Sequence, residues 1–334
     1  MRFDRRTLLR GGLGIAVSLV AVYVLLSSVD VGRTLEVLSA ASLAWIAAML
    51  VTSVVDVGAR GARWQWLLKP IARLPYRRVL GYTLIGYLAN NVLPARLGEL
   101  VRSHVLGERE RISRPTVLGT VVVERVTDTA LVVLIATGAV LILSVRGVLT
   151  NAVLLGAGFV GVLILGLGFL IVAHRLPGAE RVGAYVERWP RAVELARRLR
   201  DGLAVAGRPS TLAGTISLGI VAWAASILTF LTAGQAVGVE LTLAQAALAC
   251  SGVALATIVP SGPGYVGTFE LTVVTILRTF GVDGDEAFAM ALLTHASVLF
   301  VTSAGGVVAF VRMGIGTPMA PDEPPPAPVP IRNS

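Results

Sequence analysis

The sequence predicts an all-α polytopic membrane protein, with about six full spans and two re-entrant helical hairpins arranged as an inverted-topology repeat. Three observations predict it. The 334 residues are 55% hydrophobic and only 15% charged, where a soluble domain carries about a quarter charged residues. The charge is packed into short stretches separated by apolar runs, and a bilayer core needs roughly 20 apolar residues per helix. Finally, 25 of the 29 basic residues fall on one side of those runs, as the positive-inside rule requires.

The expected spans are 11–29, 42–59, 117–143, 152–173, 211–237 and 287–311. The first follows a cytoplasmic N-terminus, 1–10, containing Arg5-Arg6-Thr7-Leu8-Leu9, which loosely resembles a twin-arginine signal. The apolar run behind it is long enough to span, lacks a small-x-small cleavage site and precedes further spans, so it is read as an uncleaved helix.

Basic residues set the direction of every span. Arg2, Arg5, Arg6 and Arg10 precede the first. Arg60, Arg63, Lys69, Arg73, Arg77 and Arg78 are read as one cytoplasmic loop, and Arg96, Arg102, Arg109, Arg111 and Arg114 as another. A third, 174–210, carries eight arginines; within it, residues 185–205 form an amphipathic helix lying on the cytoplasmic interface. Residues 313–334 are Pro-rich and expected to be a disordered cytoplasmic tail. The protein is thus expected in the cytoplasmic (inner) membrane of a bacterium or archaeon, with both termini inside.

Two apolar segments do not fit a simple crossing. Residues 79–93 reach only about 22 Å as a helix and have basic loops on both sides. Residues 243–280 are broken by Pro260, Pro263 and several glycines, with few basic residues near and Asp283, Asp285 and Glu286 following. Each should enter and leave on one face, and irregular backbone at membrane depth survives only where it is buried or lines a wet cavity. Span, hairpin and span therefore recur in opposite senses over 42–143 and 211–311. The hairpin breaks fall at Pro94 and at Pro260 with Pro263. Such broken, inverted repeats are a mark of secondary transporters.

Ionisable residues inside a membrane are candidate functional groups by default. Glu124, Arg125 and Asp128 lie within the span 117–143, the two carboxylates on one helix face. They are read as a structural ion cluster or as an arginine that binds a lipid phosphate, with carboxylates to orient it or carry a proton. The first hairpin contributes Asn90, Asn91, Arg96, Glu99 and Arg102. Pro94 and Gly98 are expected to free backbone amides near its tip, and Arg96 suits forked contact with phosphate. For Arg102, an ordinary loop arginine is the favoured reading. The second hairpin contains a literal GxGxxG at Gly262, Gly264 and Gly267, but a dinucleotide fold needs a strand and a soluble βαβ unit. These glycines instead serve a tight turn offering amides to an anion, and Glu270 suits the first turn of the helix after it.

Other classes of function are excluded. The net charge of +9 is loop charge, without a nucleic-acid-binding fold. Cys250 is the only cysteine, and His104, His174 and His295 are scattered, so neither a disulfide nor a metal or other cofactor is expected.

The segments RGARWQWLL (60–68), GYLANNVLPARLGELVR (86–102), VVERVTD (122–128) and PSGPGYVGTFE (260–270), in that order, resemble the lysylphosphatidylglycerol synthase transmembrane-region family, also called flippase-like domain proteins. The resemblance covers roughly residues 10–312. It implies a membrane domain (11–312) that moves aminoacylated phospholipids or polyprenyl-phosphate-linked carriers, with weight on Asn91, Pro94, Arg96, Glu99, Arg102, Glu124, Arg125, Asp128, Pro260, Gly264, Gly267 and Glu270. The soluble domain that transfers an amino acid from tRNA has no counterpart here, so lysyl-lipid synthesis is not expected. Thr294-His295-Ala296 stands where a basic pair is common, which leaves the role of His295 open. The expected partners are membrane lipids with an anionic or polyprenyl-phosphate headgroup and enzymes of envelope biosynthesis. Alternatives are a glycosyltransferase using a polyprenyl-phosphate donor and a non-transporting accessory subunit.

Overall fold

The computed structural model describes residues 5–93, 97–145, 201–257 and 261–315, with a few isolated positions between 156 and 198. Pro94, Arg96 and Pro260 lie outside the described residues, as do most of the span 152–173, the interfacial helix 185–205 and the tail from residue 316. Among the described residues there are ten α-helices and no strand.

Helix α1 (Arg5–Leu26) turns into α2 (Val31–Ser39) through a bend of 84°. The span expected over 11–29 therefore ends early. Asp30 explains the break: its carboxylate caps α2 by accepting from the Gly32 and Arg33 amides, satisfying donors that a helix start leaves open. Helix α3 (Leu43–Leu68) corrects the sequence reading more deeply. It runs past the expected end at residue 59 and takes Arg60 and Arg63 out of the supposed loop. No proline or cap interrupts RGARWQWLL, and Arg63 and Trp64 are fully buried.

Helices α4 (Tyr76–Val92) and α5 (Gly98–Arg109) form the first hairpin, and α6 (Arg114–Ile142) follows it. A short 3-10 turn (Ala204–Gly207) leads into α7 (Pro209–Ala236). Helix α8 (Leu243–Ala256), a 3-10 turn (Pro263–Tyr265) and α9 (Thr268–Arg278) make the second hairpin, and α10 (Gly284–Arg312) closes the order. A long helix, two short ones and a long helix thus occur twice. Helices α3, α6, α7 and α10 are each long and apolar enough to cross a membrane, and the bent α1–α2 pair adds a fifth candidate.

Each hairpin has its own apolar core. Trp64, Leu67, Val79, Tyr82, Leu106, Val117 and Val121 pack beneath the first; Phe230, Val253, Phe269, Val273, Leu277, Phe288 and Met290 pack beneath the second. Large apolar side chains such as Leu43, Leu134, Leu141, Phe300 and Val311 face outward, as in lipid, where the exterior need not be polar.

The arms of the first hairpin approach closely at Gly98. Its amide donates to Asn90 Oδ1 at 2.7 Å, and a methyl group there would collide with the Gly86 carbonyl and the Asn90 side chain. We expect Gly98→Ala to cost about 1–3 kcal/mol, the usual penalty of overpacking, read as a lower midpoint of thermal aggregation in detergent. An unchanged midpoint would show that the arms separate more freely than their packing implies.

Candidate functional site

Four arginines and four carboxylates meet between the two cores. Helix α3 supplies Asp56, Arg60 and Arg63, one turn apart or nearly so, on the face turned to α6. Arg60 Nε reaches Asp56 at 2.8 Å and Arg60 Nη1 reaches Asp128 at 3.5 Å. Arg63 bridges Asp128 at 2.7 Å and Glu124 at 3.4 Å. Glu124 also receives Arg102 at 3.2 Å and Arg125 at 2.9 Å. Arg125 lies 3.8 Å from Asp128 and 4.0 Å from Glu99. Trp223 donates its indole N–H to Asp128 at 2.9 Å and lies under Arg60, while Trp64 lies under Arg102. Buried charges survive only when paired and hydrogen-bonded; here the two signs match in number.

Beside this network is a cavity of about 280 Å³. Asp56, Arg60, Glu99 and Arg125 give it a charged wall, with Tyr87, Asn90 and Asn91 from the first hairpin. Trp223, Ser226, Thr229 and Phe230 of α7, and Cys250, Tyr265, Phe269 and His295 from the second hairpin and α10, are also part of the lining. The Arg125 side chain is 43% exposed and that of Glu99 27%, so the cavity reaches the surface at this pair. Arg125 Nε has no hydrogen-bond partner among the described residues. Arg125 is the twelfth of 29 residues in α6, about 17 Å along a helix about 43 Å long. It therefore sits within one turn of the middle of that helix.

The two hairpins meet at this cavity. Asn91 Nδ2 donates to Thr302 and Ser303 of α10, both at 2.9 Å, and its carbonyl lies 3.8 Å from where a side chain on Gly264 would begin. Gly264 and Gly267 have φ of 65° and 85°, the left-handed region that glycine adopts without strain. Gly262 N–H donates to Ser18 of α1 at 2.9 Å.

Of the residues singled out in the sequence, Asn90, Asn91, Glu99 and Arg125 line the cavity. Arg102, Glu124 and Asp128 lie behind its wall within the ion network and are 3%, 1% and 6% exposed. The loop reading of Arg102 is corrected: an arginine with a carboxylate partner and an indole beneath it is held inside. Gly264, Gly267 and Glu270 shape the second hairpin. Of the amides expected to stand free, that of Gly98 donates to Asn90, that of Gly262 to Ser18 and that of Gly267 to Glu270 Oε2 at 2.7 Å.

The sequence reading missed Asp56, Arg60, Arg63 and Trp223, and left His295 undecided. Asp56 and Arg60 are four residues apart, a spacing that pairs opposite charges on one helix face; that signal was split, with Asp56 at the end of the span 42–59 and Arg60 in the loop after it. His295 faces Glu270 Oε1 through Nδ1 at 2.6 Å and the Gly264 carbonyl through Nε2 at 2.7 Å, stacked on Phe269 at 4.3 Å. Among the described residues, no group of three or more His, Cys, Asp or Glu is placed to hold a metal ion.

Comparison with known proteins agrees with this architecture. A family model described as the lysylphosphatidylglycerol synthase TM region matches residues 12–306. Glycosyltransferase AglD of Haloferax volcanii is 29% identical over 96% of this chain, which spans only 57% of that protein's length. A UPF0104 membrane protein of Methanothermobacter thermautotrophicus is 23% identical over 88% of this chain and 90% of its own. Another, from Methanocaldococcus jannaschii, is 33% identical over 92 residues, 27% of this chain and 26% of its own.

Proposed function

This chain belongs to the lysylphosphatidylglycerol synthase TM region family and is a multi-pass membrane protein; from that premise we propose that it moves an anionic lipid, a phospholipid or a polyprenyl-phosphate-linked carrier, across the cytoplasmic membrane. Both termini lie inside on this reading, and the two hairpins are re-entrant from opposite faces. The observation that carries it is Arg125: a side chain 43% exposed on the wall of a polar cavity, near the middle of its helix, with a buried Nε that has no hydrogen-bond partner among the described residues. Intramembrane charge at such a position marks a substrate path. The headgroup enters at the Arg125–Glu99 edge, its phosphate meets Arg125, and the acyl or polyprenyl chains stay in the bilayer. Asp56 and Glu99 face hydroxyl or amino groups of the headgroup.

The test is a flipping assay in proteoliposomes. A fluorescent phosphatidylglycerol in the outer leaflet should exchange faster with the protein than in protein-free vesicles, and faster than a phosphatidylcholine probe of equal chain length. Equal rates with and without protein would remove the transport reading for phospholipid; a short-chain polyprenyl phosphate probe then decides for the carrier lipid.

The likeness to a glycosyltransferase over nearly the whole chain favours one second reading, sugar transfer from a polyprenyl-phosphate donor. Fold likeness alone does not carry chemistry. Transfer of labelled sugar by the purified chain would replace transport with catalysis.

A further inference from the structure

The two halves place an acid and a base at matching positions. In the first, Glu99 is the second residue of α5 and meets Arg125, the twelfth of 29 in α6. In the second, Glu270 is the third residue of α9 and meets His295, the twelfth of 29 in α10. The first base keeps its charge at any pH a cell meets; the second is an imidazole, which can hold or give up a proton at either ring nitrogen. The two pairs also differ in burial. Arg125 is 43% exposed, whereas the side chains of His295 and Glu270 are each only 6% exposed.

The contacts of the second pair fix its proton count. The Gly264 carbonyl accepts only, so Nε2 must carry a hydrogen. That leaves Nδ1 and Glu270 Oε1, 2.6 Å apart, with one proton between them, on either atom. Oε2 is already engaged, accepting from Gly267 N–H. If that proton leaves, the ring has one hydrogen for two acceptors: either the Nδ1 lone pair faces the Glu270 carboxylate, or the hydrogen moves to Nδ1 and Nε2 releases the Gly264 carbonyl. If a second arrives, Nδ1–H and a carboxyl O–H face each other, or the acid hydrogen turns onto the oxygen that Gly267 needs. Only the one-proton state keeps all three hydrogen bonds at full strength, since a protonated Oε2 is a weaker acceptor for Gly267 N–H, and a buried polar group left unpaired is costly.

We propose that His295 and Glu270 form a one-proton latch that holds the second hairpin against α10. On the transport reading above, the latch ties occupancy of the cavity to a proton. His295 lines that cavity, which is the route by which the proton is exchanged. The other ionisable groups facing the same space are Asp56 and Arg60 from α3, Tyr87 from α4, Glu99 from α5, Arg125 from α6, and Cys250 and Tyr265 from the second half. The four charged ones are two arginines and two carboxylates. Release of the Gly264 carbonyl frees the turn whose tip abuts Asn91 of the first hairpin, and the latch thereby controls the contact between the hairpin tips.

Cys250, the only cysteine in the chain, lines the cavity and is buried, so it reports on opening. The full chain in phosphatidylglycerol–phosphatidylcholine nanodiscs is labelled with N-ethylmaleimide from about pH 5 to about pH 9, bracketing histidine titration, and followed by intact mass. Glu270→Gln is the reference: its amide can donate to Nδ1 and accept from Gly267 without a shared proton, and dividing by its rate cancels the titration of the thiol. Wild type should match this variant where the pair holds one proton and label about fivefold faster or more where it does not, the size a lost charge-assisted hydrogen bond imposes on local opening. A ratio that stays flat, or wild type that stays protected throughout, overturns the latch. His295→Arg, which copies the fixed pair of the first half, serves as reference should Glu270→Gln fail to fold. Flipping with a flat ratio leaves transport standing and removes the latch; a changing ratio without flipping does the reverse.

Discussion

Glu124→Gln is expected to be the most destabilising single substitution in the ion network. Glu124 receives Arg125 at 2.9 Å, Arg102 at 3.2 Å and Arg63 at 3.4 Å, and it is 1% exposed. Glutamine keeps the shape but removes the only charge these three guanidinium groups share. Breaking a buried pair by deleting one partner costs about 3–5 kcal/mol, because the other charge is stranded. Here Arg63 retains Asp128 and Arg125 retains Glu99 and Asp128 at longer range, whereas Arg102 has no other carboxylate partner among the described residues. The purified variant should therefore lose most of its monodisperse peak on size-exclusion chromatography or melt far below wild type. Adding Arg102→Gln should restore part of the loss, since the two sites are in contact and their effects are not additive. A wild-type melting profile for Glu124→Gln alone would mean that water, not Glu124, compensates these arginines.

That network also shows what the sequence could reveal. Hydropathy and charge order are local quantities, and they were enough for α4, α6, α7, α10 and the broken stretch α8–α9, whose observed bounds lie within about three residues of the expected ones, the usual uncertainty of helix ends. The intramembrane triad Glu124, Arg125 and Asp128 was visible because charge inside an apolar run is conspicuous. Arg60, Arg63 and Arg102 were not, because the positive-inside rule treats any arginine near a span end as loop charge. Nothing local distinguishes a solvated arginine from one meeting a carboxylate 61 residues away, as Arg63 does with Glu124. The bend between α1 and α2 was missed for a related reason: the capping role of Asp30 depends on where the helix stops. His295 was undecidable because Glu270 lies on another helix, 25 residues before it. Pairings that depend on which helices pack together appear only once the fold is known.

Arg125→Ala should separate function from stability in a way that Arg102→Ala will not. Both arginines touch Glu124, but Arg102 is 3% exposed and stacked on Trp64, whereas Arg125 opens onto the cavity and is 43% exposed. Loss of Arg102 leaves a hole and an under-compensated carboxylate, and folded protein should be scarce. Loss of Arg125 leaves Glu124 with Arg63 and Arg102, so the melting midpoint should fall only slightly. Its effect on phosphatidylglycerol flipping should be large, about 10- to 100-fold, since a charge-assisted contact to phosphate contributes about 1.5–3 kcal/mol. Arg125→Lys should recover part of that rate, because lysine keeps the charge but lacks the planar fork of several donors. The phosphatidylcholine probe should respond less, having no net negative charge for Arg125 to offset. If Arg125→Ala folds and flips both probes at the wild-type rate, Arg125 is no headgroup ligand. Its free Nε would then be only a consequence of packing against Glu124.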